Sequence, residues 1–256
     1  MVASAASLWA CSPAYQRSPQ TNPVLADLVD YRNGLTLLRE GRADEAIVML
    51  KRCRLANPSD PAVINAMGLA LLYKKDHAGA NKAFAEALKV DPGFMEARNN
   101  RGVSLMDEGK LDEAGKDFEA VLDGSAPAEK VNARFNLGLL ATKQKRWDDA
   151  ERHFSLVLID DSKYLRAFRE RGLVRMARED FRGALEDLLR FLKDDPTDPI
   201  ANYNAALCLL TTGRRDLAIR YMERALEAAP ESDEGQRAHR FLDAERNRGA
   251  SAEEVR

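Results

Sequence analysis

Apolar residues along this chain recur on two scales. Locally they fall at i, i+3 and i+4, as in Leu111, Ala114, Phe118 and Val121, the period of an amphipathic helix packed on one side. Over a longer span the whole pattern returns. INAMGLALLYKKDHAGANKAFAEALKVDP (64–92) comes back as RNNRGVSLMDEGKLDEAGKDFEAVL (98–122) and as RFNLGLLATKQKRWDDAERHFSLVL (134–158). A small residue anchors each copy, at Gly34, Gly68, Gly102, Gly138, Gly172 and Ala206, in steps of 34, 34, 36, 34 and 34. Twelve positions later stands an alanine each time: Ala46, Ala80, Ala114, Ala150, Ala184 and Ala218. Four further on stands a large apolar residue: Leu50, Phe84, Phe118, Phe154, Leu188 and Met222. A period of this length, built of two helical halves, predicts stacked helix pairs.

The punctuation agrees with that reading. Gly41, Gly109 and Gly213 sit between the halves, where a first helix needs a left-handed cap. Asp60-Pro61 and Asp198-Pro199 read as the N-cap and first residue of the next helix. Pro58, Pro92, Pro196 and Pro230 close four of the copies. The small anchor and the small alanine let two helices approach closely. A pair this short cannot bury its apolar face alone, so the units must stack.

This register of small, alanine, large and proline positions resembles the tetratricopeptide repeat (TPR) across residues 27–232. The resemblance implies an all-α, right-handed α-solenoid of six helix hairpins, at 27–60, 61–94, 95–128, 131–164, 165–198 and 199–232. An amphipathic capping helix is expected at 233–248 and a tail at 249–256. Asp30 and Arg175 depart from the pattern, standing where a bulky residue and an aromatic are usual. Pro127 and two additional residues, Glu129 and Lys130, interrupt the register between the third and fourth copies.

In that family the first helices line a concave face. Carried onto this sequence, the partner-binding groove is Tyr31, Leu35, Asn65, Leu69, Asn99, Val103, Met106, Phe135, Leu139, Arg169 and Tyr203. Leu and Met suit an apolar side chain or helix, and Asn and Tyr suit a peptide backbone. The alternative is that several of these side chains pack between neighbouring first helices. Arg166 and Arg169 read either as an acidic-ligand site or as a solvated face beside Glu170.

Residues 1–26 lie outside the repeat. Leu8-Trp9-Ala10-Cys11 resembles a bacterial lipobox, which makes residues 1–10 a truncated lipoprotein signal and 11–26 a lipidated cysteine with a polar tether. The chemistry needs apolar and then small residues before a thiol that takes a diacylglycerol. Acylation of the new amine at Cys11 would add a further chain, and several chains anchor stably where one is marginal. No Lys or Arg precedes Cys11, as a secretory signal would have, so an ordinary cysteine in a polar tail is the alternative.

Composition narrows the function classes. The chain has 256 residues, 45% apolar and 31% charged, which is a folding rather than a disordered composition. A net charge of -2 gives no bulk attraction for nucleic acid. Cys11, Cys53 and Cys208 are too scattered for a disulfide framework or a zinc site, and Cys53 and Cys208 fall on helical stripes as core residues. His77, His153 and His239 stand apart, and no phosphate loop or nucleophile motif occurs. No enzymatic activity, cofactor or metal is therefore expected.

One further resemblance is more specific. ARNNRGVSLMDEGKLDEAGKDFEAVL (97–122), a short Pro-containing insert and NARFNLGLLATKQKRWDDAERHFSLVL (132–158) are similar to the central section of the pilotin lipoproteins of type IV pili. That resemblance implies a monomeric, non-enzymatic lipoprotein on the periplasmic face of the outer membrane, held through Cys11. Its partners would be secretin subunits, whose insertion and multimerisation it promotes. Alternatives are a TPR scaffold lipoprotein of another envelope machine, such as Tad/Flp pilus or outer-membrane protein assembly, and a cytosolic adaptor.

Overall fold

The computed structural model describes residues 25–124 and 127–254, with thirteen helices and no strand among them. In order they are α1 (Leu25–Arg39), α2 (Ala43–Ala56), α3 (Pro61–Tyr73), α4 (His77–Val90), α5 (Met95–Asp107) and α6 (Leu111–Gly124). Then come α7 (Pro127–Lys143), α8 (Trp147–Asp160), α9 (Leu165–Ala177), α10 (Phe181–Leu192), α11 (Pro199–Thr211), α12 (Arg215–Ala228) and α13 (Asp233–Glu254). This is the expected all-α architecture of paired helices. It divides into two compact units, the first ending at Leu140 within α7 and the second beginning at Ala141.

Every first helix ends in the same way. At the end of α1 the Gly41 N–H donates to the Leu38 carbonyl (3.0 Å) and the Arg42 N–H to the Leu37 carbonyl (2.9 Å). The same two bonds recur at Lys75/Asp76, Gly109/Lys110, Lys145/Arg146, Glu179/Asp180 and Gly213/Arg214. This double closure satisfies the last carbonyls of the helix and requires a left-handed residue. Gly41, Gly109 and Gly213 supply it at φ 74°, 81° and 74°, as expected, but Lys75, Lys145 and Glu179 adopt φ 61°, 58° and 65° with a Cβ in place. Each such residue costs about 1 kcal/mol relative to glycine. In the second and fifth copies the next residue is an aspartate that caps the second helix, Asp76 accepting from the Gly79 N–H and Asp180 from the Gly183 N–H. The fourth copy has neither glycine nor aspartate, only Lys145 followed by Arg146.

The anchor positions show why they are small. A Cβ on Gly68 would lie 2.5 Å from the Phe84 ring, and one on Gly102 would lie 2.6 Å from Phe118. Both phenylalanines are fully buried, as are all six register alanines. The helix starts follow the sequence too. Asp60 accepts from the Ala62 and Val63 N–H groups ahead of Pro61, and Asp198 accepts from the Ala201 N–H ahead of Pro199.

In the first unit α3 touches both α1 and α5, and each of the three packs against its own partner. Its core is a series of clusters, from Leu38, Ala46 and Leu50 through Ile64, Phe84 and Phe94 to Leu105, Phe118 and Leu140. The residues between the third and fourth copies are absorbed as an extra first turn of α7, which has 17 residues where α3, α5, α9 and α11 have 13. In the second unit α9 to α13 enclose one cluster around Leu188, Phe191, Cys208, Leu209, Met222 and Leu242. Burial there pushes the Cys208 thiol up to about 11, so it stays a neutral core residue. Helix α13 runs on to Glu254, past residue 248 where the capping helix is expected to end.

An arginine paired to a buried aspartate fixes one repeat in each unit. In the first, Arg101 forks onto Asp117, Nε to Oδ2 at 2.7 Å and Nη2 to Oδ1 at 2.6 Å. In the second, Arg171 forks onto Asp187 at 2.8 and 2.7 Å from the same repeat positions. Arg175, the departure from the aromatic pattern, adds a third bond to Asp187 (2.9 Å) and another to Glu151 (2.9 Å). Its place is therefore explained by charge: it completes a network in which Arg178 also reaches Glu151.

Candidate partner-binding surface

The expected groove residues lie on the first helices, and the structure separates them into two groups. In the first unit Tyr31, Leu35, Leu69, Val103 and Leu139 keep part of their surface open while resting on the core clusters. Asn65, Asn99, Met106 and Phe135 do not. They are only 3%, 6%, 5% and 2% exposed. Phe135, expected to line the groove, is thus a buried residue of α7. Met106 is likewise core beside Phe118 and Leu137.

The two asparagines are consumed by a ladder between consecutive first helices. The Asn100 Nδ2 donates to Asn65 Oδ1 (3.0 Å) and the Asn136 Nδ2 donates to Asn99 Oδ1 (2.8 Å). In both cases the fifth residue of one repeat meets the sixth of the next. Asn65 also donates through Nδ2 to Glu96 Oε1 on α5 (3.1 Å). Buried amides need such partners, because an unmatched one costs about 1–3 kcal/mol. They are therefore not free to read a peptide backbone, which corrects the role given to Asn65 and Asn99. The signal was present in the sequence: amides recur at adjacent positions, Asn99-Asn100 and, one copy either side, Asn65 and Asn136.

Glu96 was not singled out by the sequence. Burial pushes its carboxyl up to about 7, with the nearby charge of Glu129 adding to the effect and the bond from Asn65 opposing it. Glu129 sits in the extra first turn of α7, so the insert has a local electrostatic effect within the first unit.

In the second unit Tyr203 remains partly open and packs against the core cluster. Arg169 is engaged within the protein. Its Nε and Nη2 donate to Glu170 Oε1 (3.1 and 2.8 Å), its Nη1 donates to Asp198 Oδ2 (2.8 Å), and it lies 5.7 Å from the Phe191 ring centroid. A guanidinium so occupied is a poor site for an acidic ligand. Cys11 lies outside the described residues. What remains for a partner in the first unit is a set of partly open apolar side chains, Tyr31, Leu35, Leu69, Val103 and Leu139, backed by a ladder whose polar groups are satisfied. The chemistry of such a surface suits an apolar segment.

The tetratricopeptide repeat family model matches residues 65–130 and 169–233, just over half of the chain. This chain belongs to the TPR family. Two solved TPR structures share its fold with a TM-score of 0.73 each. One is Pseudomonas aeruginosa PilF, 21% identical, the match covering 84% of this chain and 97% of PilF. The other is PilW, described as a widely conserved type IV pilus biogenesis factor, 18% identical, with 84% and 98% covered. In sequence, the chain is 33% identical over 164 residues to Protein FlbA of Caulobacter vibrioides, covering 61% of this chain and 27% of FlbA. The chain spans between 21% and 31% of the length of four curated relatives it matches.

Proposed function

We propose that this TPR protein is a non-enzymatic assembly factor of the type IV pilus machine. In this reading Cys11 carries acyl chains that hold it at the periplasmic face of the outer membrane. The partly open apolar side chains of its first helices shield a segment of an unassembled secretin subunit until that subunit inserts and multimerises. Shielding an exposed apolar segment or strand edge opposes aggregation, and anchoring raises the effective concentration for the next step. The observation that carries this reading is the extent of the fold match, 97% and 98% of the PilF and PilW chains. The lipobox-like Leu8–Cys11 supports the anchor.

The test is a deletion strain complemented with the intact chain, with Cys11→Ser, and with Leu35→Asp plus Leu69→Asp. Secretin multimers resistant to detergent are expected with the intact chain and lost with the double variant. Cys11→Ser should abolish palmitate labelling and move the multimers to the wrong membrane. Normal secretin multimers in the deletion strain would refute the assignment, and would direct attention to another envelope machine. Absence of label at Cys11 in the intact chain would refute the anchor alone.

A further inference from the structure

Leu35, Leu69, Val103 and Leu139 occupy one register position, the ninth, in four consecutive repeats, and each keeps part of its surface open. Their helices are neighbours: α3 touches α1 and α5, and the Asn136 amide joins α7 to α5. Packed helices stand about 8–10 Å apart, so the four side chains form a row at roughly that interval, about 30 Å from end to end.

Hydrogen bonding restricts what can lie along this row. The amides between the helices, Asn65, Asn99, Asn100 and Asn136, are nearly closed to solvent and pair with one another. The helix backbones spend their N–H and C=O groups internally, and the turn after each one closes its last carbonyls. An extended segment laid here would bury main-chain groups with nothing to pair with, whereas a helix brings its own pairs. Spacing agrees. Residues seven apart in a helix share a face and lie about 10.5 Å from each other, close to the interval of the row. On one face of a strand the interval is about 6.8 Å, and the residue about 10 Å along points the opposite way. One side of the row carries negative charge. Glu96 lies seven residues before Val103, on the same face of α5, and accepts from Asn65. Glu129, in the first turn of α7, is close enough to oppose its ionisation. Neither carboxylate makes an ion pair among the described residues.

We infer that the occupant of this row is an amphipathic α-helix of the partner, about 20 residues long, with apolar residues at seven-residue steps and Lys or Arg along the flank that faces Glu96 and Glu129. The inference rests on reading these side chains as the partner surface, and it names the kind of segment they take: a helix rather than a strand edge. The apolar stripe covers the row, and the basic flank gives the two carboxylates the cation that the chain itself does not.

Fluorescence anisotropy on the full chain tests it with three labelled peptides of about 20 residues. The first has leucines at helical period and lysines along one flank. The second has the same residues in alternating order. The third is the first with glutamine in place of the flank lysines. The helical order should bind at least about tenfold more tightly than the alternating order. Leu35→Asp plus Leu69→Asp should weaken it about tenfold or more, with circular dichroism unchanged. The glutamine peptide should bind about fivefold more weakly than the lysine peptide. That difference should vanish with Glu96→Gln plus Glu129→Gln, a change that leaves the apolar clusters intact. Equal or tighter binding of the alternating order would overturn the helix. If that binding is still lost in the Leu35→Asp plus Leu69→Asp variant, the surface stands and only the helix falls. Binding of neither order, or binding indifferent to that variant, would overturn the surface as well. A lysine preference that survives Glu96→Gln plus Glu129→Gln would overturn the charged flank.

Discussion

The two units are built from the same repeat and are fastened differently. In the first, consecutive first helices are joined by neutral amides, Asn65 to Asn100 and Asn99 to Asn136, while Arg101 forks onto Asp117 within one repeat and Arg54 pairs with Glu86 between second helices. In the second, charge carries the work: Asp187 takes three bonds from Arg171 and Arg175, Glu151 takes Arg175 and Arg178, and Arg169 spans Glu170 and Asp198. The turns differ as well. Two of the three left-handed positions before Leu140 are glycine, and one of the three after it is. The repeat thus fixes where small and large apolar residues must go, and leaves open which polar chemistry holds the remainder. An amide ladder responds little to salt or pH. A guanidinium–carboxylate network is exposed to loss of any one member.

The largest effect should come from Asp187→Ala. Removing it takes three bonds from a largely buried site, leaving Arg171 with Ser155 and Arg175 with Glu151, and the expected loss is about 3–5 kcal/mol, read from chemical denaturation. The matching Asp117→Ala should cost roughly 2 kcal/mol, because only Arg101 is closely paired there while Arg98 stands 3.8 Å away. Equal losses would erase the distinction between the units. Next in size is Asn99→Leu, which leaves the Asn136 amide without its acceptor and should cost about 1–3 kcal/mol with little dependence on salt. A loss that shrinks in high salt would show that the first unit is fastened by charge after all.

Lys145→Gly should instead stabilise by about 1 kcal/mol, since it relieves a left-handed residue in the one turn with neither glycine nor an aspartate cap. A lower melting temperature for that variant would contradict the strain assigned to the turn. The smallest effect concerns Glu96. Between its ordinary value of 4.5 and about 7 the folded chain holds a proton that the unfolded chain has released. Its contribution therefore falls as pH rises through that window and levels off above it. Glu96→Gln keeps an acceptor for Asn65 and removes the titration. Its melting temperature relative to the intact chain should climb between pH 4.5 and 7 and stay flat outside. A difference independent of pH would place the carboxyl in ordinary solvent.

How much of this was legible in the sequence depends on how far apart the deciding residues lie. The anchor glycines, the register alanines and the Phe84, Phe118 and Phe154 positions could be read directly, because each is set by the repeat's own two helices. The caps at Asp60 and Asp198 and the glycine turns were legible for the same reason. The left-handed Lys75, Lys145 and Glu179 were not, since nothing in their side chains announces that geometry; only alignment of the copies on Gly41 places them there. The candidate groove was read least well. Whether a fifth-position residue is open depends on the sixth residue of the neighbouring repeat, so Asn65 and Asn99 are closed by Asn100 and Asn136. Phe135 was misread because an inward register position does not reveal how much of it α7 leaves uncovered. The Arg–Asp pairs could have been anticipated: Arg101/Asp117 and Arg171/Asp187 occupy one pair of positions that carries no Asp, Glu, Lys or Arg in the other copies.

The double backbone bond that closes each first helix has a bearing on the order of events during synthesis. It joins residues three and five apart, so every reversal can form as soon as its own stretch of chain emerges, without waiting for a distant partner. Folding of this kind starts at any hairpin and spreads to its neighbours, quickly, because little of the chain has to be looped out first. A damaged turn would then move the starting point along the polypeptide instead of removing it.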